Sequence, residues 1–130
     1  MDYINSEVLT SNDFTIKFAN VEDCRLMMDD KKNLIMKFRL KVDKYSSDVY
    51  LPELSEKLDN DDYKYWVDGL PFIHKLFDIF GVTDFFRINN TVIRVAMKGN
   101  RIMFFGNADK DDWTAIPKYM EYAKTNGVMF

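Results

Sequence analysis

Side chains that carry out acid–base or nucleophilic chemistry are scarce in this sequence. The 130 residues include one histidine, His74, and one cysteine, Cys24. Histidine is the usual general base of enzymes, but His74 stands beside Lys75 and off the apolar stripe of the helix expected at PFIHKLFDIF, so we expect it to face solvent. Two carboxylates precede Cys24, and neighbouring carboxylates raise the pKa of a thiol. We expect Cys24 to be a small core-facing residue, and the sequence predicts no catalytic residue.

Two acidic runs, residues 59–62 and 107–112, resemble calcium-binding loops at first sight. A calcium loop of that kind requires glycine at its sixth position and glutamate at its twelfth. Other residues occupy both positions in each run. One cysteine and one histidine also exclude the common structural zinc sites. The sequence therefore predicts no metal site, and we interpret both runs as helix N-terminal caps, which the helix dipole favours.

The phosphate-binding loops of nucleotide enzymes are absent. The sequence contains neither GxGxxG nor GxxxxGK[ST]. Carboxylate–lysine triplets at residues 29–31 and 62–64 fall in expected turns or helix starts, not on the rigid strand that suits a magnesium-dependent nuclease. We therefore expect no cofactor and no enzymatic activity.

Charge is distributed unevenly along the chain, although the net charge is only −3. Residues 31–44 carry six cations against Asp43 alone, net +5, whereas residues 46–70 carry seven carboxylates against two lysines, net −5. We expect a dipolar molecule with basic sheet edges and an acidic helical flank. The plain alternative is that both are ordinary solvated faces, whose lysines discourage edge-to-edge pairing of strands.

The acidic flank, DNDDYKYWVDG at residues 59–69, combines carboxylates with aromatic rings. One helical face cannot bury Tyr63, Tyr65 and Trp66 together. If Trp66 and Val67 serve the core, at least one tyrosine points outward; otherwise both tyrosines cover the rim of the core. An exposed ring among carboxylates suits a basic groove on a partner protein. The predicted partner-binding residues are Asp61, Asp62, Tyr63, Tyr65 and Asp68.

The expected function is therefore that of a small non-enzymatic module that binds a protein with a basic surface, such as one that handles nucleic acid. Asn, Lys, Asp, Ile, Tyr and Phe are abundant, while Gly and Pro number only 5 and 3. That bias suits an AT-rich genome, and it favours a bacteriophage or mobile-element accessory or inhibitor protein.

The alternative function is binding of single-stranded nucleic acid through a basic sheet face. Cations beside aromatic rings hold a strand by charge and stacking, and the aromatic candidates are Tyr45, Tyr50, Phe85, Phe86 and Phe105. No RNP-like motif is present. The cations predicted for this alternative are Lys37, Arg39, Lys41, Arg94, Lys98 and Arg101.

Length and composition predict a single domain over residues 1–130. The mass is 15.4 kDa and 47% of residues are hydrophobic, which is ample for one core. A lone cysteine forms no internal disulfide, the N-terminal residues lack the pattern of a signal peptide, and no apolar stretch approaches the ~20 residues of a membrane span. We expect a cytoplasmic protein without a membrane partner; oligomeric state stays open.

Strand patterns dominate both ends of the chain. Residues 14–18 alternate apolar and polar, and residues 34–42 do so most clearly, with Lys37, Arg39 and Lys41 opposite the apolar set. Two runs rich in β-branched and aromatic residues flank Gly99-Asn100, a two-residue hairpin loop in which both positions tolerate φ > 0. A short strand is also expected at residues 85–88.

Helical spacing is expected in the middle and at the end of the chain. Pro52 suits the start of one helix, and Asp59 or Asn60 caps a second that Gly69 ends. Pro71 opens a stronger helix with Gly81 after its C-terminus. Its stripe is Ile73, Leu76, Phe77 and Phe80. A last helix, capped by Asp109 and ended by Gly127, carries Trp113, Ile116, Met120 and Ala123.

These elements predict an α+β fold in which an antiparallel β-meander and a β-hairpin have helices packed on one face. The two β blocks form either one sheet or two small sheets.

Overall fold

One antiparallel sheet of eight strands runs through residues 4–119, the part of the chain that the computed structural model describes. The strands are β1 Thr15–Met28, β2 Leu34–Val42, β3 Tyr45–Tyr50, β4 Ser55–Lys57, β5 Tyr63–Tyr65, β6 Val92–Lys98, β7 Arg101–Gly106 and β8 Trp113–Ala115. Their order is β5-β4-β2-β1-β6-β7-β8, and β3 also pairs with β2. The helices are α1 Ser6–Ser11, α2 Gly69–Phe80 and α3 Phe85–Ile88, and a 3₁₀ turn follows at Pro117–Tyr119.

The predicted α+β fold is confirmed, with the meander β1–β2–β3 and the hairpin β6–β7 in the same sheet. Of the two residues in the hairpin loop, only Gly99 has a positive φ, 59°. This matches a turn that needs glycine at its first central position. Gly81 ends α2 in the left-handed conformation, φ 70°, as predicted.

The alternation in β2 decides which face of the sheet is buried. Met36, Phe38 and Leu40 are fully buried, and α2 packs over them with its own apolar stripe. The ring of Phe38 makes an edge contact with Phe80, with centroids 6.0 Å apart. The sheet curves around α2, because Val49 of β3 and Ile116 after β8 belong to the same core cluster.

A second, smaller core lies on the opposite face of the sheet. Neighbouring residues of a strand point to opposite faces, and Ala96 belongs to this cluster whereas Val95 belongs to the first. Helix α1, which the sequence analysis did not predict, covers this face with Leu9. The helix begins where the Val8 amide donates to the side-chain oxygen of Asn5, 2.8 Å. Strand β7 and the part of β6 around Ala96 are therefore covered on both faces, whereas Val92 at the start of β6 stays exposed.

The two helices expected between residues 52 and 67 were wrong, because this segment forms β4 and β5. Strand β3 pairs with residues 37–42 of β2, and the Leu51 amide continues along that edge by donating to the Met36 carbonyl, 2.9 Å. Pro52 has no amide hydrogen to donate, and the chain rejoins the edge where the Leu54 amide donates to the Leu34 carbonyl, 2.8 Å. Pairing along this edge outweighs the i, i+4 spacing of Leu54 and Leu58, which is typical of a helix. Gly69, expected to end a helix, begins α2.

Two further predictions were wrong near the C-terminal half. Residues 85–88 form α3 rather than a strand, because the Asp84 carboxylate accepts the Arg87 amide, 2.8 Å. Asp109 caps no helix; the side-chain oxygen of Asn107 instead accepts the amides of Asp109 and Lys110, each at 2.8 Å. Trp113, the first residue of the expected helical stripe, lies in strand β8 instead. The later members of this stripe, Met120 and Ala123, and the expected end at Gly127 lie outside the described residues.

Close packing at Gly106 gives a test of the second core. A Cβ added there would lie 2.5–2.7 Å from three ring carbons of Trp113, which is almost fully buried. Gly106→Ala should therefore destabilise the protein by roughly 1–3 kcal/mol, the usual cost of overpacking. Urea unfolding measures the change in free energy. As a control, Gly106→Ala should cost less in a Trp113→Leu background, where the ring is absent; equal costs in both backgrounds would contradict the packing described.

Candidate functional site

The β4–β5 hairpin displays two tyrosines at the edge of the sheet. Lys57 pairs across the strands with Tyr63, and Ser55 pairs with Tyr65. Residues two apart on a strand share a face, and the two tyrosine rings have centroids 6.4 Å apart. Tyr63 is 52% exposed and Tyr65 is 67% exposed. Both rings therefore present most of their surface to solvent from the same side of the hairpin.

The strand arrangement corrects the expected roles of the neighbouring residues. Val67 does not serve the core, since it is 83% exposed. Trp66 is half-buried and packs on the first core, with its ring 6.0 Å from that of Phe72 between centroids. An outward-pointing tyrosine arises because both tyrosines alternate with Lys64 on an edge strand, not because a helix runs out of apolar face.

Carboxylates surround the two tyrosines. We call residues 53–68 the acidic hairpin; it contains six carboxylates and two lysines, net −4. Asp61 and Asp62 lie in its turn, where the Leu58 amide donates to the Asp62 carbonyl, 2.8 Å. Lys57 lies 3.5 Å from the carboxylate of Asp61. Asp68, exposed at the start of α2, makes no side-chain capping hydrogen bond.

An apolar groove of about 520 Å³ adjoins the acidic hairpin. One wall consists of side chains from four neighbouring strands, and the other consists of the first turns of α2 and the start of α3. The lining residues are Leu26, Leu34, Leu54, Ser55, Tyr65, Trp66, Val67, Gly69, Leu70, Ile73 and Phe85. Leu70 is 79% exposed at its mouth. The groove was not foreseen from the sequence, because Leu26 lies on the same alternating face as Cys24, which is expected to face the core.

The structure brings the five predicted partner-binding residues to one end of the molecule. Tyr65 lines the groove, and Asp68 stands between two lining residues, Val67 and Gly69. Asp61 and Asp62 stand at the turn before β5. The arrangement offers aromatic and aliphatic surface beside negative charge, which suits an apolar ligand that carries positive charge.

The six cations of the alternative hypothesis lie on the other face of the same sheet, which we call the basic face. In β2, three of them alternate with the buried residues. In β6, Arg94 pairs directly with Phe18 of β1, whose ring is 62% exposed and was not among the aromatic candidates. Lys98 lies over the Phe14 ring of the second core, with its ammonium 4.7 Å from the centroid.

Several of these cations already have partners in the protein. Arg94 donates to the carbonyls of Asn107 and Lys110, each at 2.8 Å, and stacks over Trp113 at 5.0 Å. Arg39 lies 3.4 Å from Asp48, so this carboxylate belongs to the basic face rather than to the acidic hairpin.

Few of the aromatic residues proposed for stacking are available on the basic face. Phe105 is fully buried, and Tyr45 pairs with Val42 on the α2 side of the sheet. Tyr50 does lie on the basic face, where Lys37 stands 6.0 Å from the centre of its ring. Together with Phe18, it gives this face two exposed rings at separate places.

Residue types suited to catalysis are not assembled in the described residues. His74 is exposed on α2, with Nε2 3.8 Å from the Asp78 carboxylate. Between residues 4 and 119, no three His, Cys, Asp or Glu side chains lie close enough together to hold a metal ion. Over the same range, no helix has the length and apolar character needed to cross a membrane.

Comparison of the chain with protein-family models, curated proteins and solved structures finds no match.

The reactivity of Cys24 tests the local structure of β1 next to its β-bulge, which lies between Val21 and Asp23. Burial, followed by the charge of Asp23, raises the pKa of its thiol from 9.0 to about 12. At about pH 8 the thiolate fraction is therefore roughly a thousandfold lower than for an ordinary cysteine. Iodoacetamide should alkylate the folded protein far more slowly than it alkylates the same protein in concentrated urea, as measured by mass spectrometry. Equal rates in both states would contradict the half-buried position of Cys24.

Proposed function

We propose that this protein binds a partner protein that has a basic surface, and that the acidic hairpin is the contact site. The observation that carries the proposal is the pair of exposed tyrosines, Tyr63 and Tyr65, which stand side by side among carboxylates at the mouth of an apolar groove. Tyrosine supplies large contact area with little conformational entropy to lose. The carboxylates accelerate encounter with a basic partner and fix its orientation.

The basic partner surfaces that this site suits include those of nucleic-acid-handling proteins, which carry clustered lysine and arginine. Occupation of such a surface by the acidic hairpin would exclude nucleic acid from it. An inhibitor or accessory role in a bacteriophage or mobile element is consistent with the compositional bias of the chain. This finer role rests on composition and charge.

Binding of single-stranded nucleic acid is the second candidate. The observation that favours it is the location of Lys37, Arg39 and Lys41 together on one open face, with the Phe18 and Tyr50 rings exposed on the same face. The internal partners of Arg94 and Arg39 count against it, because a phosphate would have to displace them.

Charge reversal in the acidic hairpin tests the proposed function. The probe is a labelled short peptide of lysine, leucine and serine, arranged so that the leucines form no helical stripe, and anisotropy measures its binding to the full chain. Asp61→Lys with Asp62→Lys should weaken binding at least tenfold, because attraction becomes repulsion. Tyr65→Ala should weaken it severalfold, as for an interface aromatic.

The matched control reverses the same amount of charge elsewhere. Glu7→Lys with Asp109→Lys changes two exposed carboxylates far along the chain from the hairpin, and it should alter affinity by less than about threefold. If both double variants weaken binding equally, net charge alone is responsible and the hairpin is not the site. A single-stranded oligonucleotide that binds more tightly than the peptide, with salt-sensitive affinity lost in Lys37→Glu, would favour the second candidate.

A further inference from the structure

The apolar groove exists because α2 covers only part of its face of the sheet. Cross-strand pairing places Met28, Leu34, Ser55 and Tyr65 in one row across β1, β2, β4 and β5. The helix begins beside this row and runs away from it over the first core. The row is therefore left partly open at Met28, which is more than half exposed, and Leu26 in the next row on the same face is close to half exposed.

The dimensions of the groove suit a short helix. Four adjacent strands span three gaps of about 4.8 Å each, or roughly 14 Å in total. A helix rises 1.5 Å per residue, so about ten residues, nearly three turns, cover this length. The volume of about 520 Å³ is more than three times that of an apolar cavity that holds benzene, ~150 Å³. Space for about three apolar side chains matches anchors at i, i+3 or i+4, and i+7.

The charges around the groove are negative on the side of the acidic hairpin. Asp68 is exposed between two lining residues and has no capping bond to hold it. Glu53 precedes the lining residue Leu54 and is also exposed. The β1–β2 turn beyond Met28 contributes two carboxylates and two lysines, so it adds no net charge. An occupant with positive charge along its outer flank is therefore favoured.

We propose that the groove receives an amphipathic helix of the partner protein, with apolar side chains facing the sheet and with lysine or arginine side chains beside Asp68 and the acidic hairpin. This inference rests on the proposed function and adds the form of the partner segment. The apolar anchors supply buried area, and the tyrosines and carboxylates form the polar rim around them.

Other occupants fit the groove less well. A second copy of this chain would offer the cations of its basic face, but those of β2 stand on a strand rather than on an amphipathic helix. A small molecule is oriented by several well-placed polar groups. The lining side chains offer the Ser55 hydroxyl and the polar edges of two aromatic rings, and the others are hydrocarbon.

A second peptide separates this inference from the proposed function. It has the same composition as the peptide described above, with its leucines reordered to i, i+3, i+4 and i+7. The amphipathic order should bind the full chain at least tenfold more tightly, because only this order fills the groove while keeping its cations outward. Its binding should also shift the emission of Trp66, which lines the groove, whereas Trp113 is buried in the second core.

Variants at the mouth of the groove give the decisive comparison. Val67→Gln with Leu70→Gln changes two strongly exposed residues, so the fold is retained, and it should remove the advantage of the amphipathic peptide. Val92→Gln is the matched control, since Val92 is exposed on the opposite face of the sheet. It should leave the advantage intact.

Each contrary outcome is informative. If both peptides bind equally and charge reversal weakens both, the proposed function stands and the helix inference is wrong. If neither peptide binds, both are wrong. A neutral apolar dye that occupies the groove and is not displaced by the amphipathic peptide would identify a small-molecule site. Concentration-dependent dimerisation abolished by Val67→Gln with Leu70→Gln would identify a second copy as the occupant. Either of these last two results would overturn the inference.

Discussion

Strand β2 shares one of its edges between two partners, and this constraint determines the layout of the candidate site. Along its other edge β2 pairs continuously with β1. On the shared edge, β3 takes residues 37–42, and β4 joins at Leu34 after the interruption at Pro52. The acidic hairpin is therefore held at one end of the sheet by the short pairing of Leu34 with Ser55 and by the packing of Trp66 on the first core. That attachment places its tyrosines beside α2 and leaves the intervening row of side chains open.

Long helices and strands were predicted from the sequence more accurately than short ones. The nine residues of β2 and the twelve of α2 repeat their pattern often enough to be recognised. Three-residue strands such as β4 and β5 contain less than two full periods, and β4 forms on the part of the β2 edge that β3 does not occupy. Leu54 and Leu58 therefore fit a helical spacing that tertiary pairing overrides. The role of Asn107 could not be predicted either. Its side-chain oxygen accepts the amides of Asp109 and Lys110, and the positions of these amides depend on the folded backbone.

The candidate site was predictable in composition but not in shape. Carboxylates next to tyrosines are visible in the sequence, and exposure of the rings agrees with the expectation that at least one points outward. The apolar groove was not foreseen, because a strand residue such as Leu26 has the same pattern whether a helix covers it or not. On the basic face, the positions of the side chains were predicted but their hydrogen bonds were not. The cations share one face as expected, but Arg94 makes two hydrogen bonds to backbone carbonyls that no sequence pattern predicts.

The sheet is covered on both faces in one half of the molecule and on at most one face in the other half. The first half resists local unfolding more strongly than the second. Strand β7 and the part of β6 around Ala96 lie between two cores, so exposure of their amides requires a large free energy. Strands β4 and β5 pair with each other, join β2 through the short pairing at Ser55 and have mostly exposed side chains, so they open at a smaller free energy. An interface that contains β4 and β5 can change its conformation to fit a partner while the opposite half of the domain keeps its structure.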